Sequence, residues 1–365
     1  MINKLTLRNF RNYSHASIDL PAPLTVFTGR NGQGKSNLLE AVFFIGMLRS
    51  FRTSQIRDLK KIGEKDFYLS ADISRREWTE TLELEYGDNN LRKLFIDATP
   101  VYKSSEFIKQ IKAVAFSPED INIVTGNSGL RRRFMDIFIS MMESNYLTSL
   151  HHYTVALKSR NLALKRTDKN LQAARAFEPL IAEKGLFIME KRKKYALMLE
   201  KSVNELLSEF PTKYHLDIKY RKDCHAADIN SYQQRFNKEL DRDRRKGFTG
   251  FGPQQDDFEL LLDEKNLRNY GSTGQCRLIS LCLKMAKLNI ISESNLDDIS
   301  NVVVLVDDVT GELDLPTREV FLKTVNKAGQ ALFTFTEQPE DYFFNNALFF
   351  EIENGILEKK REKKG

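Results

Sequence analysis

The chain reads as an α/β protein in which one mixed domain of sheet and helices is made from both ends of the sequence and is interrupted by a mostly helical arm. Three observations predict this. Near the start, the apolar run Leu24-Thr25-Val26-Phe27 leads into Gly29-Arg30-Asn31-Gly32-Gln33-Gly34-Lys35-Ser36, and a helical pattern follows with Leu38, Ala41, Val42 and Ile45 on one face. Near the end, Val302-Val303-Val304-Leu305-Val306 is a continuous apolar run, typical of a strand buried on both faces, and it stops at Asp307-Asp308. Between these, strand signals almost vanish over residues 131 to 210, where apolar residues recur at helical spacing. The expected domains are 1–130 with 247–365, and an arm at 131–246.

Composition narrows the class. With 365 residues the chain can bury a sizeable core, and 41% hydrophobic with 29% charged residues describes an ordinary soluble protein. It contains no apolar run of the roughly 18 residues a membrane span needs, and it opens on a strand pattern without a signal segment, so we expect a cytoplasmic protein. Cys224, Cys276 and Cys282 fit neither a disulfide framework nor zinc spacing and read as small buried hydrophobes. Lys plus Arg exceed Asp plus Glu by 56 to 50, a surplus too modest to imply nucleic acid alone.

In chain order, Leu5 with Leu7, Ala16 to Leu20 and Leu24 to Phe27 are short strands punctuated by Pro21 and Pro23. Between the first two lies Asn9-Phe10-Arg11-Asn12-Tyr13. Its Arg11 and Asn12 either reach a nucleotide or line a surface turn, and the residues alone favour the turn. Residues Gly29, Arg30, Asn31, Gly32, Gln33, Gly34, Lys35 and Ser36 match the G-x-x-x-x-G-K-[ST] phosphate loop in its strand-loop-helix context. There the glycines let backbone N–H groups surround phosphates, Lys35 reaches the outer phosphates, and the Ser36 hydroxyl can ligate magnesium. Arg49-Ser50-Phe51-Arg52 is a second polar cluster. Strands follow at 67–73, 79–86 and 91–97, with a hairpin at Gly87-Asp88-Asn89-Asn90, and Ser117-Pro118-Glu119-Asp120 starts a helix after the strand Lys112 to Phe116.

In the arm, Phe134, Ile137, Phe138 and Met141, then Leu147, Leu150, Thr154 and Leu157, then Tyr195, Leu199, Leu206 and Phe210 mark helices, with a break at Thr167-Asp168-Lys169-Asn170. Their polar faces are expected to carry Arg131-Arg132-Arg133, Lys158, Arg160, Lys165, Arg166 and Lys191-Arg192-Lys193-Lys194, with another cluster at Arg242, Arg244, Arg245 and Lys246. A half-buried strand alternates Tyr214, Leu216, Ile218 and Tyr220 with polar residues. A capped helix starts at Asp228, a loop spans Gly247 to Asp257, and Phe258 to Leu262 returns to strand. Gly271-Ser272-Thr273-Gly274-Gln275 then opens a helix apolar around most of its circumference. Such a turn offers a hydroxyl and free N–H groups to an anion.

Asp307 and Asp308 end a central strand, where carboxylates point into the ligand crevice of such folds. Asp307 is the expected magnesium ligand, and Asp308 the residue that orients and deprotonates water. A strand from Ala331 to Thr336, a hairpin at Asn354-Gly355 and a basic tail from Lys359 complete the chain. One phosphate loop already serves its own nucleotide, so the Ser272 turn makes most sense against a nucleotide held by a second copy. The expectation is a nucleotide-sandwich homodimer.

These residues carry a family resemblance. Leu7-Arg8-Asn9-Phe10-Arg11-Asn12-Tyr13, Gly32 to Ala41, Arg49 to Arg52, Ser117 to Asp120, Arg131 to Phe134, Gly271 to Gln275, and Asp307-Asp308 followed by Gly311-Glu312-Leu313-Asp314 together resemble the RecF family of bacterial recombination mediators. These are short-armed relatives of P-loop ABC/SMC-type ATPase heads. The resemblance implies a weak ATPase using ATP and Mg, with Ser272, Gly274 and Gln275 as a signature motif acting across the dimer and Asp314 in the loop linking the two sites. It also implies DNA binding at gaps or single-strand/double-strand junctions, work with RecR, help for RecA loading, and a part in the SOS response. The chain departs from the pattern where Gln254 and Gln255 replace a usual His-Arg, where Cys276 replaces a glutamine, and at Gly311, where a serine often stands. No histidine follows Gln330, which leaves Thr334 or Thr336 as alternatives for orienting water. An ABC-type subunit of another assembly is disfavoured by the long basic arm, and a nucleotide-gated DNA clamp with negligible turnover is the other alternative.

Overall fold

Alternating apolar residues at the start of the chain fold as β1 (Ile2–Phe10) and β2 (Tyr13–Asp19), after which β3 (Leu24–Thr28) runs into the glycine-rich loop and α1 (Lys35–Met47). Next come β4 (Phe67–Ser74), β5 (Thr79–Tyr86), β6 (Arg92–Ile96), β7 (Thr99–Pro100) and β8 (Lys112–Phe116). The middle of the chain contributes α2 (Ser128–Met142), α3 (Tyr146–Lys165), α4 (Glu178–Leu207), β9 (Leu216–Arg221), α5 (Ile229–Lys246), β10 (Asp257–Leu262) and β11 (Lys265–Asn266). The end supplies α6 (Thr273–Glu293), β12 (Val302–Asp307), α7 (Leu315–Val325), β13 (Gln330–Phe335), β14 (Leu348–Glu353) and β15 (Ile356–Lys360). The structure, a computed structural model, describes the whole chain except residues 54, 76–77, 88–90, 166–170, 212, 310, 312, 340–341 and 361–365. The expected hairpin residues Asp88 to Asn90, the helix break Thr167 to Asn170, Arg166 and Glu312 lie outside the described residues.

Two compact units result, Met1–Asp120 with Lys284–Gly365, and Ile121–Leu283. The division falls later in the chain than the expected return at residue 247, and the reason is strand pairing. β10 pairs antiparallel with β9 from Asp257 opposite Arg221 to Leu262 opposite Leu216, which ties the segment after the loop to the strand after the arm. Arg131 holds the Asp257 carboxylate with two bonds of 2.7 and 2.9 Å in the same unit.

In the first unit, one antiparallel sheet has the order β2-β1-β4-β5-β6-β7. Register brings Ala16, Leu7, Leu69, Leu84 and Leu94 side by side across five strands, and all are buried. Such a row on one face is what fixes register, since a one-residue slip would turn it to solvent. The second sheet has the order β15-β14-β3-β13-β12-β8, parallel from β14 to β8 with β15 antiparallel at the edge. Val302 to Val306 are all buried there, as a strand covered on both faces requires. α1 touches β8, β12 and β13 of this sheet and β1, β4 and β5 of the other. That position buries Leu39, Phe43 and Phe44 as well as the one face expected of it. Lys359 and Lys360, expected in a tail, are instead residues of β15.

The second unit packs α3 and α5 against the 30-residue α4, with the small sheet β11-β10-β9. Two of its organising side chains are arginines expected on polar helix faces. Arg160 is fully buried, donating to Asp243 at 2.8 Å, to Thr249 Oγ1 at 2.6 Å and to Glu178, with its guanidinium 4.6 Å from the centre of the Phe236 ring. Arg192, also buried, donates to both carboxylate oxygens of Asp136 at 3.0 Å, to Pro253 O at 2.6 Å and to Asp256 at 3.2 Å. Arg131 is buried as well. These three corrections share a cause: a guanidinium with five donors can be buried when carboxylates and carbonyls meet it from several elements at once, an arrangement invisible to helical periodicity.

Candidate nucleotide-binding site

Parallel register brings the carboxyl ends of three strands level: Thr28 of β3 lies opposite Phe335, and Thr334 of β13 lies opposite Asp307 of β12. At this edge the chain leaves β3 as the loop and re-enters α1 at Lys35. Gly29, Gly32 and Gly34 have φ of 144°, 84° and 113°, a region costly for other residues. Two of them are also pressed by neighbours. A Cβ at Gly29 would collide with the Ile352 carbonyl, and one at Gly34 would lie 2.6 Å from Asn12 Nδ2 and 2.9 Å from the Tyr13 hydroxyl.

Within this frame Ser36 Oγ donates to Asp307 Oδ1 at 2.7 Å, and Thr334 Oγ1 donates to the same oxygen at 2.8 Å. The structure thus brings together Ser36 and Asp307, which are 271 positions apart in the sequence. Lys35 is buried, its ammonium held by the carbonyls of Gly29 and, at 3.0 Å, Arg30. Burial pulls its pKa below the usual lysine range, and the nearby charges of Asp308 and Asp307 oppose that shift. Asp308 itself is exposed, with a left-handed φ of 54° that breaks the strand direction immediately after Asp307. Arg30, Asn31 and Gly32 are exposed at the loop's crest.

The loop is clasped from outside. Gln33 O accepts from Gly355 N at 3.1 Å and from Asn12 Nδ2 at 3.2 Å, and Gln33 Oε1 accepts from Asn354 N. The Tyr13 hydroxyl donates to Gly34 O at 3.1 Å. Asn12 therefore meets the loop's own backbone. Arg11 is committed elsewhere: it donates twice to the fully buried Glu40 at 2.8 Å and once to Asp58 O at 2.7 Å. Of the two readings open for it, this arrangement gives Arg11 a positioning role, because those nitrogens neutralise a carboxylate buried on the loop helix. Arg52 adds to this, 3.7 Å from Glu40, and donates to Asn37 Oδ1 at 2.8 Å. Sequence reading missed Glu40, although an acid between Leu38-Leu39 and Ala41-Val42 in a buried helix was a signal that a counter-ion must exist.

Ser272, Gly274 and Gln275 belong to the second unit, at the start of α6. Ser272 Oγ accepts from Gln275 N at 3.2 Å while Gln275 Oε1 accepts from Ser272 N at 2.9 Å, a reciprocal capping box. Ser272, Thr273 and Gly274 are exposed. In the loop before β10, Gln254, one of the two departures, donates to Phe251 O at 2.7 Å and accepts from the Tyr153 hydroxyl, so it is built into the packing beneath the arm helices.

Comparison with known proteins identifies the family and the fold. A family described as RecF/RecN/SMC N terminal domain matches residues 1–347. The chain is similar to the DNA replication and repair protein RecF of Leptospira interrogans, serovar copenhageni, at 34% identity over 92% of both chains. It is similar at 30% identity to the protein of the same name from Clostridium novyi, covering 98% of this chain and 99% of that one. Among solved structures, that of the recombination mediator protein RecF-ATP in the RecFOR pathway superposes with a TM-score of 0.90 at 29% identity, over 99% of this chain and 97% of the other. An Smc head bound to the C-winged helix domain of ScpA gives a TM-score of 0.55 at 13% identity, over 100% of this chain and 98% of the other, a likeness of fold.

Proposed function

The chain belongs to the RecF/RecN/SMC N-terminal domain family, and on that premise we propose that it is an ATP-binding protein of DNA replication and repair whose slow hydrolysis of ATP governs its hold on DNA. The observation that carries this reading is the Ser36–Asp307–Thr334 cluster beside Lys35 at the mouth of a glycine-rich loop. Lys35 supplies a positive charge to the outer phosphates, and the backbone turned by Gly32 and Gly34 supplies N–H groups to the inner ones. Ser36 and Asp307 are hard oxygen donors close together, a set that suits magnesium shared with phosphate oxygens. When bound there, the metal would neutralise charge that develops on the transferred phosphoryl group. Thr334 fixes the Asp307 carboxylate through its hydrogen bond, and Asp308 takes the part of orienting water and accepting its proton.

In this reading the exposed Ser272-Thr273-Gly274 turn faces the nucleotide of a second copy, so that ATP closes a homodimer on DNA. Work with RecR and aid to RecA loading at gaps belong to the same proposal, as does residence in the cytoplasm beside the chromosome. Among the described residues no helix is long and apolar enough to cross a membrane. The test is to size the protein and measure its hold on gapped duplex with and without ATP, following hydrolysis in parallel. We expect dimer formation and DNA retention to require ATP; indifference of both to nucleotide would overturn the reading.

A further inference from the structure

We propose that the carboxyl-terminal end of α5, with the loop behind it and the end of α3, is a docking surface for the phosphate backbone of DNA. This rests on the DNA-binding reading above and assigns that contact to particular residues. The arginine run at 131–133 does not present three free charges: Arg131 is held by Asp257, and Arg132 donates to Asp256 O at 2.5 Å. Arg160 and Arg192 are buried with their carboxylates. By contrast Arg244, Arg245, Lys246 and Lys165 are all exposed, and none has an ion-pair partner among the described residues. Lys165 meets the others through Gly247, where a Cβ would stand 3.0 Å from the Lys165 Cγ. Phe248, 43% exposed, lies beside them with the Lys246 ammonium 5.8 Å from its ring centre.

Basic residues in a last helical turn are favoured by the helix dipole alone. That effect accounts for neither an exposed aromatic nor a lysine contributed by another helix. Among the described residues the acids of α5 near the patch do not cancel it: Glu239 is taken by Arg235 at 3.2 Å and Arg242 at 3.3 Å, Asp243 is buried under Arg160, and Asp241 is exposed. The platform is also fixed from below. Gly247 N and Phe248 N donate to Asp243 O at 2.7 and 3.2 Å, Gly250 N donates to the Asp243 carboxylate at 2.9 Å, and Thr249 N donates to Asn161 Oδ1 at 2.8 Å. Long cationic side chains with few hydrogen-bond acceptors among them, on a rigid base, suit the repeating phosphates of a duplex and read no base sequence.

The test uses the full chain with Arg244→Gln, Arg245→Gln and Lys246→Gln combined, and a control losing Lys93, Lys103 and Lys201, surface lysines that have acidic partners. Affinity for a fluorescent gapped duplex is measured with ATP across a salt series. Each phosphate left without its cation flattens the slope of log K against log salt by about 0.9, so the triple variant should be flatter by about 2 to 3 while the control is unchanged. Hydrolysis without DNA and the melting temperature should match the parent. A parental slope in the triple variant overturns the proposal, as does a variant that loses binding to polyglutamate while keeping DNA. Failure of the parent chain to bind duplex at all would instead remove the DNA reading on which the proposal stands.

Discussion

Lys35 shows how one side chain serves the ligand more than the fold. Its ammonium rests on loop carbonyls and carries the charge meant for the ligand, so Lys35→Ala should leave the melting temperature nearly unchanged and abolish productive ATP binding, as read by calorimetry. Near-parental affinity in that folded variant would contradict the loop assignment. Asp307 and Asp308 should separate by phenotype. Asp308→Asn keeps shape and loses basicity, so it should bind ATP with magnesium yet hydrolyse it at least tenfold more slowly, whereas Asp307→Asn should weaken magnesium-dependent binding itself. Equal turnover in Asp308→Asn and the parent would reassign the water to another residue. A third residue, Lys287 of α6, concerns stability. Burial draws its pKa down to about 7, helped by the charge of Lys284 and opposed by Asp120. The unfolded chain keeps that proton to the ordinary lysine value, so between the two pKa values it binds more protons than the folded state and stability should rise with pH. Denaturant midpoints measured upward from pH 7 check this, and Lys287→Met should remove the trend.

Among the elements, the β14–β15 hairpin is the one whose part in the site no local pattern announces. Its turn donates Asn354 N and Gly355 N to Gln33, and the Ile352 carbonyl leaves no room for a side chain at Gly29. If this clasp holds the loop in its binding shape, Gln33→Ala should raise the Kd for ATP several-fold while the rate at saturation and the melting temperature change little. A fall in melting temperature with unchanged affinity would make Gln33 structural only. The loop, the apolar strand ending in Asp307 and the buried α6 were legible because each rests on spacing within a few residues. The clasp was not, because it joins residues about 320 apart. Nor were the roles of Arg131, Arg160 and Arg192, since a charge on a helix is written identically whether water or a carboxylate from another element receives it. The same holds for Arg11: the motif around it is recognisable, but its partner Glu40 becomes visible only when α1 is buried between two sheets.

At the scale of the whole molecule, Gly274 bears on the completion of a site by a second copy. A glycine in an exposed helical turn costs about 0.5–1 kcal/mol relative to alanine, and among the described residues a Cβ at Gly274 would meet only Ser272 Oγ, at 4.0 Å. No packing among the described residues calls for that glycine, which is consistent with a surface that another molecule approaches closely. The sandwich makes a prediction that a site completed within one chain does not. Lys35→Ala and Ser272→Arg should each abolish hydrolysis alone, one by removing the loop's charge and the other by blocking the turn. In a mixed dimer, however, one site combines both defects, while the other pairs the intact loop of the Ser272→Arg copy with the intact turn of the Lys35→Ala copy. Mixing the two inactive variants should therefore restore hydrolysis, rising with the fraction of mixed dimers and lost on dilution below the concentration at which they form. If each chain completed its own site, every chain in the mixture would remain defective and activity would stay at the level of the separate variants at all mixing ratios.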